Sequence, residues 1–271
     1  MITTSIVTYK NNLKQVERAI KSFLNTDLNV RLYIIDNSLT NEIKEICNDS
    51  RIEYIFNNAN LGYGRAHNIA MRKSIAEGVK YYLVLNPDVY FDRGVLERIY
   101  EYMELHPDVG NLMPKVLYPD GEIQYLCKLL PTPFDLIFRR FLPFKKVLAK
   151  RDNIYELRFS GYDKIMDVPY LSGCFMFIRT ETLKKVGLFD ERFFMYLEDT
   201  DLSRRIYKCC RTVYYPEVSV FHGYERGSHK NLILLKHHIE SAIKYFNKWG
   251  WFFDKERHEI NQKVLEKLGH I

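Results

Sequence analysis

The feature that most constrains the fold of this chain is an alternation of apolar and amphipathic segments over its first ninety residues. Strand-like segments end near residues 8, 36, 57 and 86. The segments between them carry apolar residues at helical spacing, as Leu13, Val16 and Ile20 do in the first of them. Buried strands that alternate with helices form a mostly parallel sheet covered on both faces. The sequence therefore predicts an α/β fold with a mostly parallel central sheet flanked by helices.

Polar side chains follow each of the four predicted strands. They are Thr8 and Tyr9, Asp36 and Asn37, Asn57 and Asn58, and Asn86 and Asp88. Turns favour Asn and Asp for backbone reasons alone, so a single residue of this kind indicates little. Their repetition is informative, because ligands of such sheets bind beyond the carboxyl ends of the strands. We expect the functional site at this edge.

The rest of the chain is predicted to extend the sheet and to add helices. We expect a helix over 93–107, a hairpin around Pro119, Asp120 and Gly121, and a strand pair or bulged strand over 168–179. A short helix capped by Thr180, a helix over 198–210, and two strands, 212–216 and 218–222, should follow. C-terminal helices begin near residue 231. The apolar residues of 231–253 would serve either a core or the contact face of a homodimer.

The cysteines and the apolar runs indicate where the protein resides. The five cysteines form no C-x-x-C pair, which argues against a disulfide framework or a zinc ribbon and fits a reducing cytosol. Met1 leads directly into a strand-like segment, so no signal peptide is expected, and no run approaches the roughly 18 apolar residues of a membrane span. We expect a cytoplasmic protein.

The net charge of +6 is concentrated in one segment. Residues 128–151 carry seven basic side chains and one acidic one, and the remainder has 33 of each sign. This distribution disfavours a nucleic-acid binder. Within 134–151, basic residues alternate with apolar ones, which suits contact with an anionic membrane, here the inner face of the cell membrane. The alternative is an amphipathic helix that packs on the core, which Pro143 would divide into short pieces.

Two further groups of residues could carry chemistry. Asp88 projects past a buried strand, where a carboxylate could hold Mg²⁺ or Mn²⁺, or could merely belong to an Asn-Pro turn. His222 also follows a strand and could be a second metal ligand or a structural histidine. Arg226 and Ser228, just beyond it, are suitable donors to a diphosphate.

The segment FMYLEDTDLSRR places an acidic cluster at a predicted helix N-terminus, where the helix dipole favours carboxylates. Helical spacing puts Glu198 and Asp201 on one face and lets Asp201 pair with Arg205. Asp199 is then left for the crevice, where a carboxylate can act as a general base. The alternative is an acidic turn that only complements the helix dipole.

Taken together, these residues resemble a known family. The segments that carry the resemblance are SIVTYKN, IIDNS, NNANLGYGRAHNIA, YLVLNPDV, residues 170–205 and VFHGYERGS. They are similar to the family 2 glycosyltransferases of GT-A fold, a Rossmann-like architecture, and most of all to the rhamnosyltransferase-like branch. The resemblance implies a glycosyltransferase domain over 1–230, with 128–151 as a basic amphipathic insertion. Residues 231–271 would then form a C-terminal helical extension.

The resemblance also implies a role for each candidate residue. Asp199 would be the catalytic base, and Glu198 would orient or contact the acceptor. Asp88 would be a metal ligand, although Asn86 stands where the fuller family motif has an aspartate. The remaining nucleotide-sugar contacts would be Thr8, Tyr9, Asp36, Asn60, Gly62, Asn86, Ser172, Gly173, Arg226 and Ser228.

The activity implied is inverting transfer of a sugar from a nucleoside-diphosphate donor. The donor would be dTDP-rhamnose or a UDP-hexose, and the acceptor a hydroxyl of a bacterial cell-surface glycan or a lipid-linked glycan. Asn86 also suggests an alternative, a catalytically inactive module that binds a nucleotide sugar or a glycan. A nucleotidyltransferase is disfavoured, because no glycine-rich phosphate loop follows the first strand.

Overall fold

The computed structural model describes residues 1–137, 139, 145–223 and 232–270. Its first part alternates strands and helices as predicted. The elements are β1 (Ile2–Thr8), α1 (Leu13–Leu24), β2 (Val30–Asp36), a 3₁₀ turn (Glu42–Ile46), β3 (Ile52–Phe56), α2 (Tyr63–Ala76) and β4 (Tyr81–Leu85). The side chain of Asn12 caps α1 by accepting a hydrogen bond from the backbone N–H of Lys14.

The second part contains shorter strands and most of the remaining helices. The elements are β5 (Val89–Tyr90), α3 (Val95–Leu105), β6 (Val109–Leu117), β7 (Cys127–Lys128), α4 (Pro133–Leu136), α5 (Lys145–Tyr155), β8 (Met166–Asp167) and β9 (Tyr170–Leu171). They continue with β10 (Phe175–Arg179), α6 (Thr180–Val186), α7 (Glu198–Tyr207), β11 (Arg211–His222), α8 (Leu232–Trp249) and α9 (Lys255–Lys267).

The central sheet has the order β3-β2-β1-β4-β10-β6-β11-β5, with β8 paired to β11. Strands β1 to β4 are parallel, and β10 runs antiparallel between β4 and β6. Strand β11 is parallel to β6 and ends beside β5, where His222 pairs with Val89. The carboxyl ends of β1, β2, β4 and β11 and the amino end of β10 therefore meet at one edge.

Helices cover the sheet on both faces. One apolar core lies between the sheet and helices α1 and α3, with Phe23 and Ile99 among its fully buried side chains. The other core lies against α2, α6 and α7, and includes Met71 and Leu202. This layered arrangement, with a mostly parallel sheet at its centre, confirms the predicted α/β fold.

Two local predictions need correction, and the hairpin prediction is confirmed. Residues 212–216 and 218–222 form one strand, β11, with a shifted register between Tyr215 and Ser219, because Pro216 lacks an N–H and causes a bulge rather than a break. The hairpin around Pro119 is present, since the antiparallel bridge between Leu117 and Ile123 is flanked by backbone hydrogen bonds from Tyr118 to Glu122 and from Gln124 to Val116. Thr180 is the first residue of α6 rather than its cap, and its hydroxyl donates to carbonyl oxygens of Val79 and Lys80.

The C-terminal helices pack on the rest of the chain through a smaller apolar cluster. Phe246 of α8 lies there with Leu136 of α4 and with Phe193 and Leu197, which precede α7. Asn261 of α9 exchanges hydrogen bonds with the backbone of Leu130, at 2.8 and 2.9 Å. Within the described part of the chain, no helix combines the length and apolar character needed to cross a membrane.

Candidate active site

The edge where the strand ends meet contains a buried carboxylate, Asp36. Its Oδ1 accepts hydrogen bonds from the Thr8 hydroxyl at 3.1 Å and from the Ser38 backbone N–H at 3.0 Å. Its Oδ2 accepts from the Tyr54 hydroxyl at 2.7 Å. Thr8 and Asp36 are fully buried, whereas Tyr9 is exposed at the surface. This cluster fixes the ends of β1, β2 and β3 relative to one another.

The loop that leads into α2 is held against the loop before α7. Asn60 accepts a hydrogen bond from the Gly62 N–H at 3.1 Å, and the Tyr63 N–H donates to the Phe194 carbonyl at 2.9 Å. Gly62 has φ of +83°, and a Cβ there would lie 2.4 Å from the Phe194 carbonyl oxygen. Only glycine fits this close approach. The loop after β3 is thereby joined to the segment that precedes Glu198 and Asp199.

Tyr63, the first residue of α2, links two predicted parts of the site. Its hydroxyl lies 2.9 Å from Asn86 Oδ1 and 2.7 Å from the Gly173 carbonyl oxygen. Asn86 therefore acts as an acceptor that positions the loop after β4. Sequence reasoning missed Tyr63, because nothing in its local pattern distinguishes it from a tyrosine of the core.

Asp88 and His222 lie next to each other at the ends of β4 and β11. Their Oδ1 and Nε2 atoms are 3.4 Å apart. The Gln124 Oε1 lies 3.0 Å from His222 Nδ1, and the Gln124 side-chain amide donates to the His222 carbonyl at 2.8 Å. Gln124 thus orients the imidazole so that Nε2 faces Asp88, as a partner of a metal-binding histidine does.

Burial lowers the pKa of His222, but the opposing effects of Cys174 and Asp88 prevail and raise that pKa to about 10. Without a metal, this raised pKa favours a protonated imidazole beside Asp88. A bound cation would take the place of this proton, because a metal-ligating histidine is neutral.

The chemistry of this pair fits a divalent cation. Two ligands bound at about 2.1 Å and at right angles lie about 3 Å apart, close to the separation seen here. The carboxylate oxygen suits Mg²⁺ or Mn²⁺, whereas the imidazole nitrogen favours the transition metal Mn²⁺, because Mg²⁺ prefers oxygen ligands. No cluster of three or more His, Cys, Asp or Glu side chains suited to a metal occurs among the described residues. Arg226 and Ser228 lie outside the described residues.

Asp199 lies in the first turn of α7 and faces the loop between β9 and β10. Its Oδ2 accepts a hydrogen bond from the Gly173 N–H at 2.8 Å and lies 3.3 Å from the Tyr170 hydroxyl. Its Oδ1 accepts from the Thr200 N–H at 2.7 Å. Burial raises the pKa of Asp199, and these hydrogen bonds oppose that rise without cancelling it. The hydrogen-bond donors stabilise the charged form of this carboxylate, while burial makes it more basic than an exposed aspartate.

Glu198 is almost completely buried beside Asp199, and its Oε2 has no hydrogen-bond partner among the residues that the structure describes. Burial and the neighbouring charge of Asp199 raise the pKa of Glu198 well above its ordinary value. Two adjacent buried carboxyl groups do not both ionise, and the one with more donors holds the charge. The pKa of Glu198 is thus raised further than that of Asp199, so Asp199 gives up its proton more readily.

The backbone before this pair is strained. Tyr196 and Leu197 both have positive φ, at +70° and +68°, although neither is glycine. Such residues persist only where the surroundings hold them in place. Helix α8 supplies one such contact, because the Ser241 hydroxyl donates to the Met195 carbonyl at 2.8 Å.

Asp201 binds the C-terminal helices to α7. The predicted pairing with Arg205 is confirmed, with Arg205 Nε 2.9 Å from Asp201 Oδ2. On its other side, the Trp249 indole N–H donates to Asp201 Oδ1 at 2.8 Å, and the Lys248 ammonium lies 2.6 Å from the same oxygen. Asp201 is thus structural, which leaves Asp199 as the carboxylate that faces the loop of Gly173.

Comparison with known proteins identifies the family of this chain. The sequence profile of glycosyl transferase family 2 matches residues 4–187, well over half of the chain. The chain belongs to this family. Its glycosyltransferase activity follows from that membership, which also implies a nucleotide-sugar donor. The matched region includes the ends of β1, β2 and β4 and the loop of Gly173, whereas Asp199 and His222 lie beyond it.

Two relatives are rhamnosyltransferases. N-acetylglucosaminyl-diphospho-decaprenol L-rhamnosyltransferase of Mycobacterium tuberculosis is 28% identical over 257 residues, which cover 88% of this chain and 82% of that protein. Rhamnosyltransferase WbbL of Escherichia coli is 24% identical over 242 residues, which cover 85% of this chain and 87% of that protein. The rhamnosyltransferase-like branch predicted for this glycosyltransferase is confirmed.

The fold is shared with solved glycosyltransferases. The structure of GalNAc-T7 with UDP, GalNAc and Mn²⁺ matches this family 2 chain with a TM-score of 0.64 at 13% identity. The match covers 99% of this chain and 55% of that one. The predicted GT-A architecture is therefore confirmed.

Gly173 offers a first test of the site in this glycosyltransferase. An alanine Cβ at this position would lie 3.0 Å from Asp199 Cβ and 3.3 Å from its Oδ2. We expect Gly173→Ala to displace the carboxylate and to lower kcat by about 10- to 100-fold, as sub-ångström misplacement of a reacting group does. Steady-state release of nucleoside diphosphate measures this loss.

Gly223→Ala is the matched control, because a Cβ there meets only ordinary contacts, the nearest at 3.6 Å from the Asp88 carbonyl oxygen. It should retain most of the activity. Equal activity of the two variants would show that the approach of Gly173 to Asp199 is unimportant for turnover.

Proposed function

We propose that this family 2 glycosyltransferase is an inverting enzyme in which Asp199 is the general base. The observation that carries the proposal is the setting of the Asp199 carboxylate, which the Gly173 N–H and the Tyr170 hydroxyl hold at the loop between β9 and β10. The same loop is joined through Tyr63 to Asn86, two residues before Asp88. The base and the donor-phosphate end of the site would thus lie on opposite sides of one bound sugar.

In this proposal, Asp199 takes the proton of an acceptor hydroxyl while that oxygen attacks the anomeric carbon. The attack comes from the face opposite the nucleotide, so the configuration inverts in one displacement. A protonated Glu198 carboxyl can donate a hydrogen bond to the acceptor, since its Oε2 has no partner in the described part of the chain. The raised pKa of Asp199 makes it a stronger base than an exposed aspartate.

Asp88 and His222 would hold a divalent cation, Mg²⁺ or Mn²⁺. Such a cation stabilises the negative charge that develops on the departing nucleoside diphosphate. Asn86 contributes no charge, so the site would carry one carboxylate and depend more on the diphosphate oxygens to complete the coordination. The Mn²⁺ bound in GalNAc-T7 together with UDP supports a metal in this fold.

The names of the relatives support a choice of substrates. We propose transfer of rhamnose from dTDP-rhamnose, with a hexose from a UDP-sugar as the second candidate donor. The acceptor would be a hydroxyl of a bacterial cell-surface glycan or of a lipid-linked glycan, as the diphospho-decaprenol in the name of the mycobacterial relative suggests. Thr8, Tyr9, Asp36, Asn60, Gly62, Ser172 and Gly173 would surround the donor.

If the acceptor is lipid-linked, the basic segment 134–151 would bind the inner face of the membrane and bring the enzyme to its acceptor. Lys146, Val147 and Lys150 are exposed on α5, whereas Leu136 is buried against α8. Arg151 is paired with Asp135 at 2.8 Å. The exposed lysines of α5, rather than the apolar residues of α4, are therefore the groups suited to an anionic surface.

A thermal-shift screen of nucleotide sugars, with Mn²⁺ or with EDTA, tests the donor and the metal together. A ligand at a hundredfold excess over its Kd adds about 2.7 kcal/mol to the stability, or roughly 5 °C for a chain of this size. We expect dTDP-rhamnose or a UDP-sugar to produce this shift with Mn²⁺ and a much smaller one with EDTA.

Asp88→Asn and His222→Ala should each abolish the difference between Mn²⁺ and EDTA. His258→Ala, at an exposed histidine of α9, is the control and should preserve that difference. If no nucleotide sugar raises the melting temperature, the proposed donor class is wrong. If the Mn²⁺ effect survives in both site variants, the metal lies elsewhere.

A further inference from the structure

The turn between α8 and α9 presents two adjacent phenylalanines to solvent. Phe253 is fully exposed and Phe252 is 67% exposed. The neighbouring Trp251 instead folds back, with its ring 5.3 Å from that of Phe246 in the apolar cluster of α8. Large aromatic side chains at the surface are unusual in pairs and often mark an interaction site.

The turn is held firmly by a buried arginine. The Arg257 guanidinium donates to the carbonyl oxygens of Trp251 at 3.0 Å and of Phe252 at 3.4 Å. Arg257 also donates to the Gly250 carbonyl at 3.4 Å, and its own N–H is capped by Asp254 at 2.9 Å. Because these bonds fix the backbone, the exposure of the two rings is a built feature of the turn.

The same arginine connects the turn to the start of the segment 128–151. Arg257 donates to the Pro131 carbonyl, and Asn261 of α9 binds the backbone of Leu130. These residues belong to 128–151, which holds the entire basic excess of the chain. Lys255, two residues after Phe253, also has a side chain that is 90% exposed. An exposed aromatic pair beside an exposed lysine is complementary to an anionic lipid surface, where aromatic rings lie among the headgroups and lysines attract the charge.

A second protein is a poorer fit to this surface. A phenylalanine buries about 150–250 Å², so the pair offers about 300–500 Å². A stable dimer needs about 800 Å² on each partner. A bilayer has no such threshold, since it accepts individual side chains.

We propose that Phe252 and Phe253 form a membrane-docking tip that inserts into the headgroup region of an anionic bilayer. The role of this membrane contact in catalysis rests on the proposed function, in which the acceptor is lipid-linked and lies at the membrane surface.

Flotation with vesicles of phosphatidylglycerol and phosphatidylethanolamine tests the tip without requiring turnover. Phe252→Ser/Phe253→Ser should lower the ratio of bound to free protein by at least about tenfold, because binding scales with the apolar area that is inserted. Leu39→Ser/Leu105→Ser removes two other exposed apolar side chains, 66% and 77% exposed, and should float like the wild type. Vesicles of phosphatidylcholine should bind all three proteins weakly.

A second measurement uses a variant that keeps an aromatic side chain at the tip. Phe253→Trp should show a blue-shifted difference emission with the anionic vesicles and none with phosphatidylcholine. Equal flotation of the two double variants, or the absence of the emission shift, would overturn the proposal. So would a wild-type dimer that the tip variant converts to a monomer without a change in flotation. A protein that floats through its tip but transfers no sugar would refute the proposed function alone.

Discussion

Asp199→Asn is expected to lower kcat for sugar transfer by about 10²- to 10⁴-fold, the usual contribution of a general base. Asparagine has nearly the same shape, so it preserves the packing against Gly173 and Tyr170. The variant also removes a buried charge, and we expect it to fold as well as the wild type. Donor affinity should change little, because Asp199 would act on the acceptor. Single-turnover transfer and donor titration measure the two effects separately.

Glu198→Gln is the matched comparison at the adjacent position. Burial and Asp199 hold the pKa of Glu198 well above its ordinary value, and glutamine reproduces the size and hydrogen-bonding groups of a protonated glutamate. Its loss of kcat should be much smaller than that of Asp199→Asn. Retained turnover in Asp199→Asn, or equal losses in the two variants, would contradict the assignment of the base.

The pH dependence of transfer provides an independent check. The base must be deprotonated, so kcat/KM falls as the pH drops through the pKa of Asp199. Because burial raises this pKa above the ordinary 3.8, the acid limb should lie at a higher pH than an exposed aspartate would give. The limb should disappear from the residual rate of Asp199→Asn. An acid limb at or below the ordinary value would show that Asp199 is not the titrating group.

The sequence predicted those parts of the fold that depend on short-range patterns. The alternation of apolar and amphipathic segments indicated β1 to β4 and their helices, since side-chain periodicity directly reports which face is buried. The same patterns placed Asp88 and His222 after strands, and the parallel topology then brings them within 3.4 Å. Their role as metal ligands remains a prediction.

Contacts between distant parts of the chain could not be predicted in this way. Tyr63 joins Asn86 to Gly173, which is 110 residues away from it, and Gln124 orients His222 across 98 residues. Such partners have no local signature, because their spacing is set by the whole sheet. The two strands expected on either side of Pro216 are one strand, β11, for the same reason. Both of its parts pair with β6, a distant segment, on either side of the bulge.

The buried ion pair between α7 and α9 is a further long-range contact. Arg204 is 1% exposed and lies 2.7 Å from Asp254 in a two-point contact, with its guanidinium 4.2 Å above the Trp249 ring. Asp254→Ala is expected to cost about 3 kcal/mol or more of unfolding free energy, because it leaves a buried cation without its main partner. Denaturant unfolding measures the loss.

Glu259→Ala is the control for that variant. It removes an exposed pair with Lys255, 3.5 Å apart, and should cost no more than about 0.5 kcal/mol. A similar small cost for Asp254→Ala would mean that the half-exposed Glu256, 2.8 Å from Arg204, replaces Asp254 as the partner.

The double variant Arg204→Met/Asp254→Leu separates stability from positioning. Replacement of both members of a buried pair by apolar side chains of similar size is often neutral or stabilising, so the part of the loss that comes from the unpaired Arg204 should return. The part that comes from the lost cap of α9, about 1 kcal/mol, should not. The strained residues Tyr196 and Leu197 lie between α7, which carries Asp199, and Met195, which α8 contacts through Ser241. If stability returns and kcat does not, the ion pair sets the orientation of α7 and hence the position of the base. If both return, apolar packing alone is sufficient to place Asp199.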